Sequence, residues 1–535
     1  MASLKHVLDD INGQIGLMEV FKYKTSDLLY ILTDSADRYA IEATFRDPKD
    51  YYSKYSIKTN LVISHIGYAY RQILKFIYRF SSEDGKPASI DYIKESFIQL
   101  FGDMFLYYNE VRNRIDRNEL GDIILDFDDV TKTVIEQDSN IKRRTYIRAS
   151  EYNNLSNDSI NFKFSCISWF MNNKTSVKNF KYMQYFHSTF DKSNFEVLFE
   201  IVLKDSEVKE DIDFGDFKYF DVMRTCAAIN YIALFKLSSN FSNAFLTRDS
   251  NFFYEQSYDV FIKHLNEISG VDLEVIKLIV NYMVYKPEYQ SDKLTLLQHF
   301  LLINGKIVFS PFVIIPAELP KKFVKIVRDL ESKKYEVVFS RIAKSKEVFM
   351  INEIVYNYSV NPLAYVTPNV KYQLPNSNNI SAEYDLVFYD SNNKTLYLCE
   401  CKWFNVADGE SENMKVNRKI QYTMHQRIKK DELAVNNKSH FIETIFGGSI
   451  EVDDIKSFVI SYTHMGDDHN DYILPVIDLG TFRSLSVQFN FDITKVYECI
   501  KNQCFLDSYN TEVFSEEFEY FGYKFKINRL AIKKL

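Results

Sequence analysis

Two carboxylates and a lysine lie close together in the stretch Ser381–Phe404, SAEYDLVFYDSNNKTLYLCECKWF. Asp385 stands near the start of one apolar run, Tyr384–Tyr389, and Glu400 and Lys402 stand near the end of a second, Leu396–Phe404. Asp390, Ser391, Asn392 and Asn393 between the runs are turn formers, and the Tyr, Val, Phe, Leu and Cys residues around them suit buried strands. The stretch therefore reads as a β-hairpin. Two residues apart on a strand, Glu400 and Lys402 share one face. Ionisable groups in an apolar element are costly unless they are paired or hold a metal. With Asp385 on the partner strand, the carboxylates of Asp385 and Glu400 and the carbonyl of Cys401 make a hard oxygen site suited to Mg²⁺, with Mn²⁺ as a substitute. Lys402 beside it can hold an anionic phosphate or orient a water. The plainer alternatives are a surface hairpin with ordinary charges, which the apolar flanks disfavour, and an edge-strand lysine that discourages aggregation. Glu383 shares the Asp385 face by period two, and either joins the site or stays at its rim. The Cys401 thiol points to the opposite face and reads as core.

Glu383-x-Asp385 followed by Glu400-Cys401-Lys402 resembles the core signature of the PD-(D/E)xK nuclease superfamily, which has the restriction-endonuclease-like fold. Tyr384 precedes Asp385 here, the Glu-x-Asp form that many members show in place of the strict Pro-Asp. The resemblance implies a metal-dependent nuclease that hydrolyses phosphodiester bonds, with Asp385, Glu400 and Lys402 catalytic. It also implies a glutamate lent to the metal by the helix before the first strand. Glu353, inside the apolar stretch Phe349–Tyr358, is the candidate, the alternative being a charge on the solvated side of that helix. DNA is the favoured substrate and an endonuclease the favoured activity; nothing in the residues separates DNA from RNA. Two other readings stay open: a nuclease fold that binds nucleic acid or protein without cutting, and an interaction protein whose hairpin mimics the motif. A nuclease joined to a large helical region is similar to bacterial restriction and antiviral-defence effectors, a likeness at the level of fold.

The elements around the motif run in a matching order. Leu319–Lys346 is charged and helical with one break, and Glu347–Tyr358 continues as helix. Ala364–Leu374 reads as a strand, the hairpin follows, Met414–Val435 reads as a helix, and Ile455–Thr463 and Ile473–Leu479 as strands. The order is helix, three strands, helix, strand, strand, which contains the αβββαβ core that the resemblance implies. Between Met414 and Lys430 lie Lys415, Arg418, Lys419, Arg427, Lys429 and Lys430 with no acidic residue. Lys415, Arg418, Tyr422 and Lys429 fall near one helical face, and Lys419, Gln421 and Gln426 add donors. The helix reads as a nucleic-acid-binding surface, with a solvated helix as the alternative; some superfamily branches carry a functional glutamine there, for which Gln421 is the candidate. His464, Asp467, Asp468 and His469 follow the fourth strand and read as a polar turn more readily than as a metal cluster.

With 535 residues the chain has room for roughly three domains of about 150 residues. The expected division is a mostly helical region over 1–318, the nuclease-like domain over 319–480 and a C-terminal extension over 481–535 that packs on it. The overall class is mixed α/β. In the first region, Leu61–Phe80, Ile90–Tyr108, Asp216–Leu237, Tyr254–Ile268 and Leu273–Val284 read as helices. Tyr39–Phe45, Ile123–Phe127 and Phe195–Leu203 read as strands, and Asp128 as a helix start. Asn304-Gly305 is a tight-turn signal, and Phe309–Pro316 reads as an edge segment. Nothing in this region points to chemistry; it is a candidate sensor, specificity module or surface for self-association or a partner protein. The formal charge of −8 counts weakly against nucleic-acid binding, since a local basic patch suffices. The six cysteines lack a Cys-x-x-Cys zinc pattern and read as buried thiols of a reducing compartment. With no apolar leader and no run of about 18 apolar residues, no membrane contact and a cytoplasmic location are expected.

Overall fold

In the computed structural model the described residues are 4–45, 56–119, 123–139, 192–204, 208, 210–244, 253–287, 300–317, 319–359, 364–375, 377, 379–404, 410–448, 450–462 and 473–534. The chain is mixed α/β with several sheets and forms two compact units. One comprises Ser3–Arg112 and Ser159–Ile342, the other Asn113–Asp158 and Ala343–Leu535. The boundary thus falls at Ile342/Ala343, inside a helix, and not at 318/319. The second unit also takes in Asn113–Asp158 and the whole 481–535 segment. Among the described residues no helix is long and apolar enough to cross a membrane.

The first unit is mostly helical. Its core gathers Phe195, Leu198, Cys226, Phe261, Ile279 and Phe323 around a small antiparallel sheet of Tyr254–Ser257, Lys306–Phe309 and Leu301–Ile303. Asn304 and Gly305, both with positive φ, make the tight turn between the last two strands. Four readings change here. Tyr39–Phe45 is the end of a helix, Thr25–Phe45, and Phe195–Leu203 lies within another, Lys192–Lys204. Buried Leu28, Leu32, Ala36 and Ala40 in the first, and Phe195, Leu198 and Phe199 in the second, recur at helical spacing, which outweighs a few residues of local alternation. Tyr254–Ser257 pairs as a strand before the helix Tyr258–Ser269 begins. Phe309–Pro316 leaves its strand for a short buried helix, Pro311–Ile314, with Ser310 as N-cap and Pro311 at the first turn. Ala149–Phe190, where the sequence places nothing, lies outside the described residues.

The second unit carries the motif. Its elements are α1 (Asn109–Glu119, entering the unit at Asn113), β1 (Ile123–Asp128), β2 (Thr133–Ser139), α2 (Glu336–Ser359, entering at Ala343), β3 (Ala364–Tyr372), β4 (Ala382–Asp390), β5 (Thr395–Lys402), α3 (Glu410–Asn436), α4 (Lys438–Phe446), β6 (Asp454–Ser461), β7 (Val476–Asp478), α5 (Leu479–Gln488), α6 (Ile493–Asn502), β8 (Tyr509–Tyr520) and β9 (Tyr523–Lys534). Asp128 starts no helix; it accepts the Val130 and Thr131 N–H groups in the β1–β2 turn. A five-stranded sheet has the order β7-β6-β5-β4-β3. Strands β3, β4 and β5 form an antiparallel meander, and β6 and β7 add in parallel. Strand β5, TLYLCECK, is buried over seven of its eight residues, as a central strand covered on both faces must be. Its alternate residues separate cleanly. Tyr397, Cys399 and Cys401 pack towards Met350, Ile351, Phe482 and Val496 of α2, α5 and α6, while Leu396 and Leu398 pack with Ala434 and Phe441 of α3 and α4. Asp390 builds the β4–β5 turn by accepting the Asn392 and Asn393 N–H groups, and Lys394 takes the left-handed conformation.

A second sheet, β1-β2-β9-β8, draws on both ends of the unit. The parallel ladder between β9 and β2 runs from Lys524↔Thr133 to Lys526↔Ile135. Beyond it, buried Glu136 accepts from Arg114 (2.7 Å) and from the Asn528 N–H (3.0 Å), while Arg114 donates to the Asn528 carbonyl (3.1 Å). This side-chain bridge continues the backbone pairing and explains why Asn113–Asp158 joins the C-terminal unit. Cys499 and Cys504 are not free thiols: the left-handed Gln503 after α6 turns the chain back and the two close a disulfide. Cys226, Cys399 and Cys401 are buried free thiols.

Candidate active site

The site is built where two central strands part. The β4–β5 ladder ends at Leu386↔Cys399, so Asp385 and Glu400 are the first residues past its last rung. Beyond that point β4 keeps pairing with β3 and β5 with β6, and the side chain of Asp385 takes over. Its Oδ2 accepts the Cys401 N–H at 2.7 Å, in the place a backbone carbonyl would fill. Strand β3 is irregular at the same level. Pro368↔Leu386 and Val370↔Tyr384 put Asn369, with φ of 53°, opposite Asp385. The left-handed residue inverts the alternation: Val366 and Phe388 face the α2 side, whereas Val370 and Tyr384 face the α3 side. Pro368, which lacks an N–H, is tolerated because β3 is an edge strand.

Glu400 lies on the α3 face with Leu396 and Leu398, and is buried. Three cations reach it: Lys402 Nζ at 3.0 Å from Oε1, and Arg427 Nη1 and Lys430 Nζ each at 3.4 Å from Oε2. Burial alone would raise the Glu400 pKa, but Lys402, Lys430 and Arg427 outweigh it and hold the carboxyl below its ordinary value. Asp385 goes the other way: burial and the neighbouring Glu400 charge push it up, against Lys402 and the Cys401 N–H. Lys402 is raised although burial opposes it, because Glu400, Glu347 and Asp385 surround it. The structure therefore brings Asp385, Glu400 and Lys402 into one electrostatic cluster.

Glu353 is not in that cluster. It pairs with Arg483 of α5. The glutamate of α2 that faces the site is Glu347, six residues earlier, with Oε1 4.0 Å from Lys402 Nζ and the Trp403 N–H as a donor. Six residues turn a helix through about 240°, so the two glutamates cannot share a face. Burial pushes Glu347 up, and the Asp385 and Glu400 charges add to this while Lys402 opposes it. Glu383 is exposed at the rim, 3.7 Å from Lys371 of β3. The Cys401 thiol packs on the α2 side and burial pushes it far above its ordinary pKa; its N–H is the group tied to the site.

Helix α3 has two faces. Asn417, Ile420, Thr423, Met424, Arg427 and Ala434 are buried, whereas Arg418, Lys419, Gln421, Tyr422, His425, Gln426 and Lys429 are exposed. Arg427, counted in the sequence as part of a basic run, is fully buried, with Nε 2.8 Å from Asp431 Oδ1 and its guanidinium 4.3 Å above the Tyr384 ring. Lys430 turns towards Glu400 too. Sequence reasoning missed the inward role of both; the signal was Ile420, Met424, Arg427, Asp431 and Ala434 recurring at three and four. The Lys415 side chain lies outside the described residues, as do His464, Asp467, Asp468 and His469.

Among the described residues, no three His, Cys, Asp or Glu side chains form a ready-made metal cage. The oxygen donors near the fork are the carboxylates of Asp385, Glu400 and Glu347, the donor type that suits a hard divalent ion, and the Cys401 thiol packs on the other side of the sheet. Burial and neighbouring negative charge push Asp385 and Glu347 up, so added positive charge would favour their ionised forms. Comparison with protein-family models, curated proteins and solved structures gave no match to this chain.

Proposed function

We propose that the chain is a divalent-metal-dependent nuclease, with DNA as its first substrate class and endonucleolytic cleavage as its activity. The observation that carries the reading is the fork of β4 and β5, where Asp385 and Glu400 face a gap in the ladder with Lys402 two residues on. The order α2, β3–β4–β5, α3, β6 supports it, being that of the restriction-endonuclease-like αβββαβ core. The charge balance also supports it. Four carboxylates (Glu347, Asp385, Glu400, Asp431) meet three cations (Lys402, Arg427, Lys430), a formal charge of −1. A divalent ion turns that cradle positive, and a phosphodiester neutralises it.

Asp385, Glu400 and Glu347 are the residues that would hold Mg²⁺ or Mn²⁺. Bound there, the ion supplies Lewis-acid chemistry, a more acidic water and charge relief at phosphorus. Lys402, positive throughout the working pH range, orients the attacking water or neutralises charge on the phosphate in the transition state. Arg427 fixes the Glu400 carboxylate from the buried side. The exposed face of α3 offers Arg418, Lys419, Gln426 and Lys429 to the backbone, with Tyr422 and Gln421 beside them.

The three-cation capping of Glu400 favours one second reading: a self-contained charge cluster in a nuclease fold that only binds nucleic acid. One experiment separates them. Plasmid, linear duplex, single-stranded DNA and RNA are incubated with the purified chain, with Mg²⁺, Mn²⁺ or chelator. Divalent-dependent cleavage of DNA supports the proposal, and cleavage of RNA alone reassigns the substrate. Binding without cleavage under every condition refutes the nuclease.

A further inference from the structure

Glu400 has a cation on each carboxylate oxygen that solvent can also reach. Lys402 Nζ lies on Oε1 with its side chain 25% exposed, and Lys430 Nζ lies on Oε2 with its side chain 30% exposed. Arg427 shares Oε2 with Lys430 but is 0% exposed, and it is also paired with Asp431 on the next turn. Arg427 alone therefore gives Glu400 a buried counter-charge, and the fold does not need Lys430 for that. Yet Lys430 is held with care. Its carbonyl accepts the Tyr384 hydroxyl at 2.8 Å, which ties that turn of α3 to β4, and its ammonium reaches the Glu383 carbonyl at 3.3 Å. An ammonium has three donors, and the Glu383 carbonyl and Glu400 Oε2 take two of them. Lys430 also lies one residue from exposed Lys429, at the end of the basic face of α3 nearest Glu400.

Resting on the nuclease reading above, we propose that Lys430 is a second catalytic lysine. Its ammonium sits on Glu400 and would move to an oxygen of the scissile phosphate in the working complex, opposite Lys402. Two consequences follow. The substrate is gripped by one lysine from a strand and one from a helix, so that phosphate contact along α3 continues into the reaction centre. Lys430 also competes for the carboxylate that a divalent ion needs, so removing it favours ion binding while harming turnover.

That opposition is the test. Lys430→Met keeps most of the aliphatic stem and removes the charge. Isothermal titration with Mn²⁺ should show binding several-fold tighter than wild type, whereas steady-state cleavage at saturating Mg²⁺ should show kcat reduced about 10- to 100-fold, as for loss of one transition-state contact. Lys430→Arg should keep more of the turnover than Lys430→Met. A kcat within twofold of wild type, or an unchanged or weaker Mn²⁺ affinity, overturns the proposal and leaves Lys430 a structural tie. If Lys430→Met does not fold, Lys430→Gln, which can still donate to the Glu383 carbonyl, is judged by the same two numbers. Wild-type protein that cleaves nothing with any divalent ion removes the nuclease reading and this proposal together. A cleaving wild type with an indifferent Lys430→Met removes only the proposal.

Discussion

Arg427 offers the sharpest link between the fold and the site. It is fully buried, flanked by Glu400 at 3.4 Å and Asp431 at 2.8 Å, and stacked 4.3 Å over Tyr384. Arg427→Met approximates its aliphatic volume, so little packing is lost. What remains is Asp431 in a low-dielectric pocket without the guanidinium, while Glu400 keeps Lys402 and Lys430. Removing one partner of a buried ion pair costs about 3–5 kcal/mol, because the remaining charge is left unpaired. The cation–π contact is part of that cost and is not added to it. In a unit made of Asn113–Asp158 and Ala343–Leu535, each kcal/mol corresponds to about 2–4 °C in Tm. Arg427→Met should therefore melt about 6–20 °C below wild type, followed by circular dichroism and checked by urea unfolding. Arg427→Lys should recover only part of this, since a point charge cannot serve two carboxylates and a ring face together. Adding Asp431→Leu to Arg427→Met should restore at least half, because it removes the stranded acid. A Met variant within about 1 kcal/mol of wild type, or a double variant no better than the single, would show that this arginine is not held by charge.

Other outcomes follow from the same geometry. Lys402→Ala should lower turnover by about 10²-fold or more with little change in substrate affinity, and a variant that loses binding but keeps kcat would limit Lys402 to positioning the backbone. Arg418→Glu with Lys429→Glu should weaken duplex binding across sequences and flatten its salt dependence, measured in a cleavage-silent background; unchanged slope and affinity would make the outer face of α3 merely solvated. Asp385 is raised by burial and by Glu400, and its protonated form cannot hold a cation, so Mn²⁺ affinity should fall with falling pH while pH is still above the ordinary aspartate range. The same sign gives a stability effect. A raised folded-state pKa means that ionised Asp385 costs stability above that pKa and nothing below the ordinary value. Asp385→Asn should thus stabilise the metal-free protein near neutral pH, with the gain disappearing on acidification; a gain that persists at low pH would contradict this.

The hairpin was legible because its signals agree: Asp390–Asn393 supply turn chemistry, and the flanking runs are long, apolar and rich in β-formers. The grouping of Glu400 with Lys402 followed from period two alone, and Leu396 and Leu398 share their face. The fork was not legible. It depends on Asn369 and on a ladder that stops at Leu386↔Cys399, which no local pattern announces. Glu353 stands in the middle of the apolar stretch Phe349–Tyr358, which drew the expectation to it, whereas the end of α2 that meets β5, where Glu347 lies, is set by tertiary packing. Counting Arg427 and Lys430 as surface charges assumed that charge implies exposure, and buried carboxylates reverse that rule. In the first unit, short alternating stretches such as Tyr39–Phe45 were overruled by helices that extend well beyond them.

The central claim is that Asp385 and Glu400 together hold a divalent cation, and a Mn²⁺ titration measures this without any assumption about substrate. Wild type, Asp385→Asn and Glu400→Gln would be titrated by calorimetry at neutral pH, each with its fold checked by circular dichroism. Wild type should bind one or two Mn²⁺ per chain, and both variants should lose at least tenfold in affinity. Wild type that binds no Mn²⁺, or variants that bind it as tightly as wild type, would contradict it.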